Sequence, residues 1–247
     1  MSKAAICVVV PVYKAMATLD RCVESVLAQQ VDGGLACILV DDGSPDESGA
    51  MCDAWAAKDD RVTVIHQDDL GVSGARNSGV AAADSEFIVF LDSDDALRPG
   101  ALQAALTAQR AAPQDFVVWH YTTDEHDPAA VTADAALRPQ AGLARLWLDC
   151  LLAMPWNKLY RADLAKQLQF DVQYTLGEDL QFVLDYIALL GQTVPEFGYR
   201  VMTSPLTFYD CSRGGTLSTR YHANYCDIWP KHFTKLNAAC HAAACPA

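Results

Sequence analysis

Short apolar runs alternate with helical patterns through the first half of the chain. Between the first two runs, apolar residues from Leu19 to Leu27 recur at the spacing of a helix with one buried face. After the second run, Ser44, Pro45 and Glu47 have the spacing of a helix cap, a proline at the first helical position and a glutamate three residues after the cap. The alternation predicts repeated β-strand and α-helix units. The runs that predict strands, which are short and rich in β-branched residues, cover residues 6–10, 35–40, 62–66, 87–91 and 116–119.

The predicted strands are apolar along their whole length instead of alternating between apolar and polar residues. This pattern indicates that both faces of the sheet are covered. We therefore expect an α/β protein with a mainly parallel central sheet and helices on both faces. In such sheets, ligands bind beyond the carboxyl ends of the strands. The residues that follow Val40 and Leu91 are thus the first candidates for chemistry.

The second half of the chain has a less regular pattern. It predicts a helix over about residues 142–152, an apolar segment at 156–160, a helix that begins near Glu178 and a C-terminal helical subregion after Tyr221. Segment 124–139 is rich in aspartate and contains two prolines. It predicts a surface loop and not a domain linker, because the apolar segments on its two sides lack separate cores of reasonable size. One domain with a C-terminal subregion is the simplest organisation.

Composition and charge exclude several classes of protein. The 247 residues are 51% hydrophobic and 20% charged, which excludes a disordered or fibrous chain. The net charge of −13 repels phosphate backbones, so we expect no nucleic-acid partner. An acidic excess is also typical of an ordinary solvated surface, and only acids clustered in loops would indicate a bound cation.

Cysteines and apolar runs bear on the location of the protein. The nine cysteines lack close CxxC pairs and fit neither a disulfide framework nor a four-thiolate zinc site, which favours a reducing cytoplasm. Cys7 and Cys37 lie inside strand patterns and are expected in the core. No apolar run approaches the roughly 20 residues of a membrane span, and the N-terminus lacks signal-peptide organisation. We expect a cytoplasmic protein whose contact with the inner face of the membrane is at most peripheral.

Two carboxylates end the second predicted strand, in the run Asp41-Asp42-Gly43-Ser44. An ionised carboxylate accepts hydrogen bonds from a base N–H or a ribose hydroxyl. The same residue types are also ordinary in a turn followed by a capped helix. This motif alone leaves both interpretations open.

Three carboxylates lie within four residues after the fourth predicted strand, in the run Asp92-Ser93-Asp94-Asp95. Two like charges ~4 Å apart repel by about 4 kcal/mol at an effective dielectric constant of 20, so the cluster favours a divalent cation, protonation or wide solvation. Hard oxygen ligands select Mg²⁺ or Mn²⁺, and phosphate oxygens and water would complete the coordination. The alternative is a turn that caps the helix beginning near Pro99.

Glycines and other small residues dominate the stretch from Gly71 to Gly79, which lies between the two acidic motifs. Small residues permit close approach of the backbone to a ligand. In this interpretation, Arg76 and Asn77 bring a cation and an amide to the same rim as the acidic motifs. The alternative is a helix whose glycines allow tight packing on the sheet, with Arg76 as a surface charge.

Taken in order, six segments resemble the family 2 glycosyltransferases of the GT-A fold. The resemblance covers about residues 5–220, and it depends on order and spacing, since no single segment is diagnostic. The segments are Pro11-Val12-Tyr13, Asp41-Asp42-Gly43-Ser44, Gly71-Val72-Ser73-Gly74-Ala75-Arg76-Asn77-Ser78-Gly79, Asp92-Ser93-Asp94, Trp156-Asn157-Lys158-Leu159-Tyr160 and Glu178-Asp179-Leu180.

The resemblance implies a nucleotide-sugar donor, usually UDP-linked, and an inverting single displacement. It also implies a Mn²⁺ or Mg²⁺ ion held through the Asp-X-Asp motif, with Asp94 as the metal ligand. The expected acceptor is a glycan or a lipid-linked molecule in the assembly of surface polysaccharide. The nucleotide-binding half would be residues 1–121 and the acceptor and catalytic-base half residues 140–220, followed by a helical extension over 221–247.

The resemblance also assigns roles to single residues. Asp179 becomes the candidate general base, although an acid at a helix N-terminus is also explained by the helix dipole. The residues expected to bind the nucleotide sugar are Pro11, Val12, Tyr13, Asp41, Asp42, Arg76, Asn77, Asp92 and Ser93. The candidates for contact with the diphosphate or the acceptor are Trp156, Lys158, Glu178 and Arg213, of which Arg213 lies in a stretch where relatives often carry Tyr-Arg in place of Tyr209-Asp210. His222 and His232 are expected to be surface histidines and not metal ligands.

Two other classes of protein have a similar sheet and are alternatives. A sugar-phosphate nucleotidylyltransferase would need a glycine-rich, basic phosphate loop after the first strand, where this chain has Pro11-Val12-Tyr13-Lys14. A binding module without turnover would have no need of the acidic set Asp92, Asp94 and Asp179. Slow hydrolysis of a donor in the presence of Mn²⁺ distinguishes an enzyme from a binding module.

Overall fold

The computed structural model describes residues 3–174, 176–212 and 234–236. In these residues the strands are β1 (Ala4–Val12), β2 (Leu35–Asp42), β3 (Val62–Gln67), β4 (Ser85–Phe90), β5 (Ala96–Leu97), β6 (Phe116–Thr122), β7 (Ala135–Pro139), β8 (Lys158–Arg161) and β9 (Gly198–Phe208). The α-helices are α1 (Leu19–Leu27), α2 (Ser48–Lys58), α3 (Gly71–Ala82), α4 (Ala101–Ala111), α5 (Leu143–Leu148), α6 (Ala162–Ala165) and α7 (Glu178–Thr193). A short 3₁₀ helix, Gln140–Gly142, precedes α5.

All nine strands of the described residues form one sheet, in the order β3-β2-β1-β4-β8-β6-β9-β5, with β7 paired to β9. The four strands β3, β2, β1 and β4 are parallel to one another, and β6 is parallel to β9. Strand β8 is antiparallel to both β4 and β6, and β5 and β7 are antiparallel to β9. The predicted α/β class is confirmed. The parallel part of the sheet is its N-terminal half, where the strands are apolar along their length.

Each face of the sheet carries its own hydrophobic core. One core packs α1, α2 and α4 on residues of β1 and β2 such as Val8 and Leu39. The other packs α3, α5, α6 and α7 on the opposite side chains of the same strands, such as Val9 and Val40. Because successive side chains of a strand point to opposite faces, a strand that is covered on both sides must be apolar at every position. The helices therefore lie on both faces, as the strand composition predicts.

Helix α3 packs unusually close to the sheet. A Cβ atom added at Gly79 would lie 2.2 Å from Cγ1 of Val9 on β1. Only glycine permits this approach. The glycine-rich stretch is therefore a helix packed tightly on β1 and β2, and its N-terminus faces the carboxyl edge of the sheet.

Three predicted elements differ in detail. Helix α2 begins at Ser48 and not after Ser44, because Ser44 is held in the preceding turn, where its N–H donates to Asp41 Oδ1. The loop predicted for residues 124–139 ends in strand β7, which pairs with β9. The helix predicted over about 142–152 is shorter and ends at Leu148.

The predicted extension over 221–247 lies outside the described residues except for 234–236, where Lys235 pairs with Asp185 of α7 at 2.9 Å. Arg213, His222 and His232 also lie outside the described residues. Among the helices that the structure does describe, none has the length and apolar character needed to cross a membrane.

Candidate active site

A cleft of about 720 Å³ opens at the carboxyl edge of the parallel strands. It is formed by the segments that follow β1, β2 and β4, by the start of α3 and by the start of α7. Of the residues that the sequence singles out, those that line this cleft are Pro11, Val12, Tyr13, Asp42, Arg76, Asp92, Ser93, Asp94, Trp156, Glu178 and Asp179. The two halves of the chain therefore meet at one site.

The two aspartates that end β2 have different surroundings. Asp42 lines the cleft, and its Oδ1 accepts hydrogen bonds from Gln67 Nε2 at 2.7 Å and from the Leu70 N–H at 2.9 Å, just before α3. Asp41 points to the α2 side, where it contacts Ser44 and His66. Adjacent residues of a strand face opposite sides, which explains why the two carboxylates point in different directions. Of the two aspartates expected to bind the nucleotide sugar, Asp42 therefore lines the cleft and Asp41 does not, and the role of Asp41 stays a prediction.

Asp41 forms a polar cluster with His66 behind the cleft. The two ring nitrogens of His66 lie 2.9 Å from Asp41 Oδ2 and 3.0 Å from Asp53 Oδ1. Hydrogen bonds to Asp53 and Asp41 raise the pKa of His66. Burial tends to raise the pKa of Asp41, but the hydrogen bonds from Ser44 and His66 outweigh it and lower that pKa. The cluster holds β2 against α2.

The acidic loop after β4 is fixed from several sides. Arg21 of α1 donates to the carbonyl oxygen of Asp94 at 2.6 Å, and the same nitrogen donates to Asp210 Oδ2 at 2.6 Å. Asp95 is fully buried and accepts a hydrogen bond from the N–H of Asp210. Burial raises the pKa of Asp95 to about 9. Asp95 therefore faces the interior, while Asp92 and Asp94 line the cleft.

Arg76 is buried at the base of the cleft with 3% of its side chain exposed. It lies on α3, which the glycines bring close to the sheet. Its Nη2 donates to Asp92 Oδ1 at 2.9 Å and its Nη1 to Asp179 Oδ1 at 2.7 Å. The interpretation of Arg76 as a surface charge is therefore wrong, since the guanidinium joins the acidic loop to α7.

Asp179 is the second residue of α7, and the helix begins directly after Gly177, which has a left-handed conformation with φ of 85°. About a third of its side chain, 32%, is exposed to the cleft. Burial of the carboxyl raises the pKa of Asp179 to about 7, and the adjacent Arg76 cation opposes this rise. A carboxylate with a pKa near neutrality, in a cleft, has the properties of a general base.

Two predicted site residues are engaged elsewhere. The amide of Asn77 donates to the carbonyl oxygen of Phe170 at 2.9 Å and accepts the N–H of Phe170 at 2.8 Å. Lys158 is fully buried and its ammonium donates to the carbonyl oxygen of Leu151 at 2.7 Å, and burial lowers its pKa. Neither side chain lines the cleft, so contact of Asn77 with the nucleotide sugar and of Lys158 with the diphosphate or the acceptor stays a prediction.

Aromatic residues form one wall of the cleft. The ring of Trp156 stacks on Tyr209 with centroids 5.4 Å apart, and Tyr121 contacts both rings edge-on. Sequence reasoning missed Tyr121 because it ended that strand at Trp119, whereas β6 continues to Thr122. The rule that ligands bind beyond the carboxyl ends of strands would have indicated Tyr121 had the strand been extended.

Carboxylates outnumber cations around the cleft. Among the described residues, six carboxyl side chains line it, against Lys14 and Arg76 as cations. Within the described part of the chain, no three His, Cys, Asp or Glu side chains converge in a way that could hold a metal ion. A Mg²⁺ or Mn²⁺ ion at Asp94 would fit this acidic surface, with further oxygen ligands from a phosphate and water.

Sequence comparison finds relatives among glycosyltransferases. Glycosyltransferase GlyG of Streptococcus pneumoniae serotype 4 is 39% identical over 124 residues, which cover 49% of this chain and 41% of GlyG. Succinoglycan biosynthesis protein ExoO of Rhizobium meliloti is 31% identical over 206 residues, which cover 77% of this chain and 58% of ExoO. The chain spans about half of the length of these relatives.

Comparison with solved structures finds TarS of S. aureus, which has a similar fold. The crystal structure of S. aureus TarS residues 1–349 in complex with UDP-GlcNAc superimposes with a TM-score of 0.76 at 18% sequence identity, over 95% of this chain and 66% of that chain. At this identity the likeness shows a shared fold. The sequence model of the family described as Glycosyl transferase family 2 matches residues 7–169, more than half of the chain. The chain therefore belongs to glycosyltransferase family 2 and has the GT-A fold.

Proposed function

We propose that the protein is an inverting glycosyltransferase that moves a sugar from a nucleotide-diphosphate sugar to a glycan or lipid-linked acceptor. One observation carries the proposal: Asp94, which follows β4, and Asp179, which begins α7, line the same cleft. The cleft lies at the edge where α/β sheets bind ligands. An acidic loop and a carboxylate with a pKa near 7 are the two chemical parts that such a transfer needs.

The charge of the cleft supports a requirement for a divalent cation. Among the described residues, a diphosphate in the cleft lies next to six carboxyl side chains and two cations, and this charge balance repels it. Asp94 is the residue that we expect to hold Mn²⁺ or Mg²⁺, with the remaining ligands supplied by phosphate and water. When bound, such an ion stabilises negative charge on the leaving diphosphate as a Lewis acid.

Asp179 is proposed to accept the proton of the attacking acceptor hydroxyl. Its raised pKa makes the carboxylate a stronger base than an exposed aspartate, yet leaves it largely ionised above pH 7. A hydroxyl that attacks the anomeric carbon from the face opposite the diphosphate gives inversion in one displacement. The cleft walls, including Trp156 and Tyr209, would hold the reacting groups and limit the access of water.

The donor and the pathway are proposed from the relatives. TarS was solved with UDP-GlcNAc, which makes UDP-sugars the first donors to test. ExoO is named for succinoglycan biosynthesis, so we propose polysaccharides as the first acceptors to test. Selectivity between hexosyl and N-acetylhexosaminyl donors depends on a few hydrogen bonds.

Thermal melting against a panel of nucleotide sugars, with and without Mn²⁺, tests the proposal. A ligand at 100 times its dissociation constant adds about 2.7 kcal/mol to the free energy of unfolding. We expect a rise in Tm with UDP-sugars that depends on Mn²⁺, and release of UDP when an acceptor is added. Stabilisation without any transfer or donor hydrolysis would identify a binding module, and no stabilisation by any nucleotide sugar would contradict the proposal.

A further inference from the structure

The guanidinium of Arg76 is held between the two halves of the site. With 3% of its side chain exposed, it uses one terminal nitrogen for Asp92 and the other for Asp179. Its central carbon lies 5.3 Å from the centre of the Phe170 ring. Asp92 belongs to the acidic loop. Asp179 belongs to α7 and lies 103 positions after Arg76 in the chain.

A buried charge of this kind requires its partners. Moving a guanidinium out of water is unfavourable unless ionised partners and hydrogen bonds compensate for the lost hydration. The planar fork of arginine binds two carboxylates in fixed directions, whereas a lysine ammonium acts as a point charge. Arg76 therefore fixes the positions of two carboxylates. Because its side chain is buried, little of its surface can contact a nucleobase.

We propose that Arg76 is a positioning residue of the transfer reaction, which orients the Asp179 carboxylate and links it to the Asp92 carboxylate in place of contacting the nucleotide. This inference rests on the proposed function. It replaces the role in nucleotide binding that the family resemblance implies for Arg76. Because Nη2 is held by Asp92, the hydrogen bond from Nη1 to Asp179 Oδ1 has a fixed direction and orients that carboxyl, so that the acceptor hydroxyl meets it in one direction.

Among the described residues around Asp179, Arg76 is the main source of positive potential. The carboxyl of Asp179 is influenced by Arg76 from α3, Asp92 from the loop after β4, Lys158 and Tyr160 from β8, and Glu178 from α7. Arg76 lowers the pKa of Asp179 more than Lys158 does, while the acidic neighbours raise it. Removing the guanidinium therefore raises the pH at which Asp179 loses its proton.

Two substitutions separate charge from geometry. Arg76→Met removes the cation, and Arg76→Lys keeps it without the fork. With ¹³C-labelled aspartate, the carboxyl signal of Asp179 is assigned by its loss in Asp179→Asn and then titrated by NMR. We expect Arg76→Met to raise the titration midpoint by about 1–3 pH units. We expect Arg76→Lys to leave the midpoint near the wild-type value and to lower kcat about 10²-fold through misorientation, with the affinity for UDP-sugar and Mn²⁺ close to wild type in both variants.

Arg200→Met is the matched control, because it removes a 2.6 Å ion pair with the buried Asp115 away from the cleft. It should change Tm without moving the Asp179 midpoint.

An unchanged midpoint in Arg76→Met, or loss of donor affinity in parallel with kcat, would overturn the role of Arg76. If Arg76→Met does not fold, Arg76→Lys decides: a lower kcat with intact donor affinity supports the proposal, and an unchanged kcat overturns it. A wild-type protein that transfers no sugar contradicts the proposed function itself.

Discussion

Asp179 is the residue on which the proposed chemistry depends most directly. Asp179→Asn keeps the shape of the side chain and removes the basic oxygen. We expect kcat to fall by about 10²–10⁴-fold, the usual contribution of general base catalysis, with the affinity for the donor retained. Steady-state transfer assays and calorimetric titration with UDP-sugar measure the two quantities separately.

The pH profile of the wild-type protein checks the same assignment. Burial raises the pKa of Asp179 to about 7, and only the ionised form accepts a proton, so kcat should fall roughly tenfold for each pH unit below that value. Asp185→Asn, on the same helix and paired with Lys235, serves as the control and should leave the profile unchanged. Near-normal turnover of Asp179→Asn would remove this residue from the mechanism.

Asp94 is the residue expected to make donor binding depend on a cation. Asp94→Asn should weaken donor binding in Mn²⁺ by at least the roughly 10- to 100-fold that loss of an outer-sphere partner costs a metal site. Titration of UDP with and without Mn²⁺ measures this effect. Asp69→Asn removes another carboxylate from the cleft lining and controls for the change in charge. If the two substitutions weaken donor binding equally, the dependence on Mn²⁺ comes from the overall charge of the cleft and not from Asp94 as a metal ligand.

At the scale of elements, the contact of α3 with β1 positions Arg76. Gly79→Ala places a Cβ 2.2 Å from Val9 Cγ1, so one element must move. Alanine gains about 1 kcal/mol in helix propensity over glycine, but overpacking costs about 1–3 kcal/mol. We expect a net loss of up to about 2 kcal/mol in the free energy of unfolding, measured with urea, together with reduced turnover.

Gly191→Ala provides the comparison on α7. The added Cβ would lie 3.5 Å from Phe197 Cε1, an ordinary contact distance. This variant should keep or gain stability, by up to about 1 kcal/mol from helix propensity. Greater stability of both variants would show that the approach of α3 to the sheet is not limiting.

At the scale of the whole molecule, Asn77 joins the parallel half of the sheet to the second half of the chain. Its amide makes two hydrogen bonds with the backbone of Phe170, which is itself buried. Asn77→Ala should lower the free energy of unfolding by about 1–3 kcal/mol and leave donor affinity unchanged, as measured by urea denaturation and donor titration.

Ser78→Ala tests whether this effect depends on joining the two halves. It removes a hydrogen bond to Gln67 within the N-terminal half, on the same helix. It should therefore cost less than Asn77→Ala. A loss of donor affinity in Asn77→Ala, with stability unchanged, would return Asn77 to the nucleotide site.

Much of the architecture follows from local patterns. Continuous apolar strands and helical spacing predict the parallel strands, the helices on both faces and the edge where acidic residues gather. These features depend on side-chain periods of two and 3.6 residues, which are visible within a few turns or one strand. The same local rules predicted that the acidic motifs after β2 and β4 lie at one edge, and the family resemblance added Asp179. The cleft contains Asp42, Asp92, Asp94 and Asp179.

The partners of the buried polar groups were decided only by the tertiary structure. Sequence alone determined the strands β1 to β4 and β6 and the acidic loop, because their signals are short-range, but it did not predict β5, β7 or β9 as strands. Sequence reasoning assigned both Asp41 and Asp42 to the nucleotide site, and it placed Arg76 on the surface as one alternative. A buried charge takes whichever partners the packed chain brings within hydrogen-bond distance. For Arg76 these are side chains 16 and 103 positions away, so no local pattern encodes the pairing.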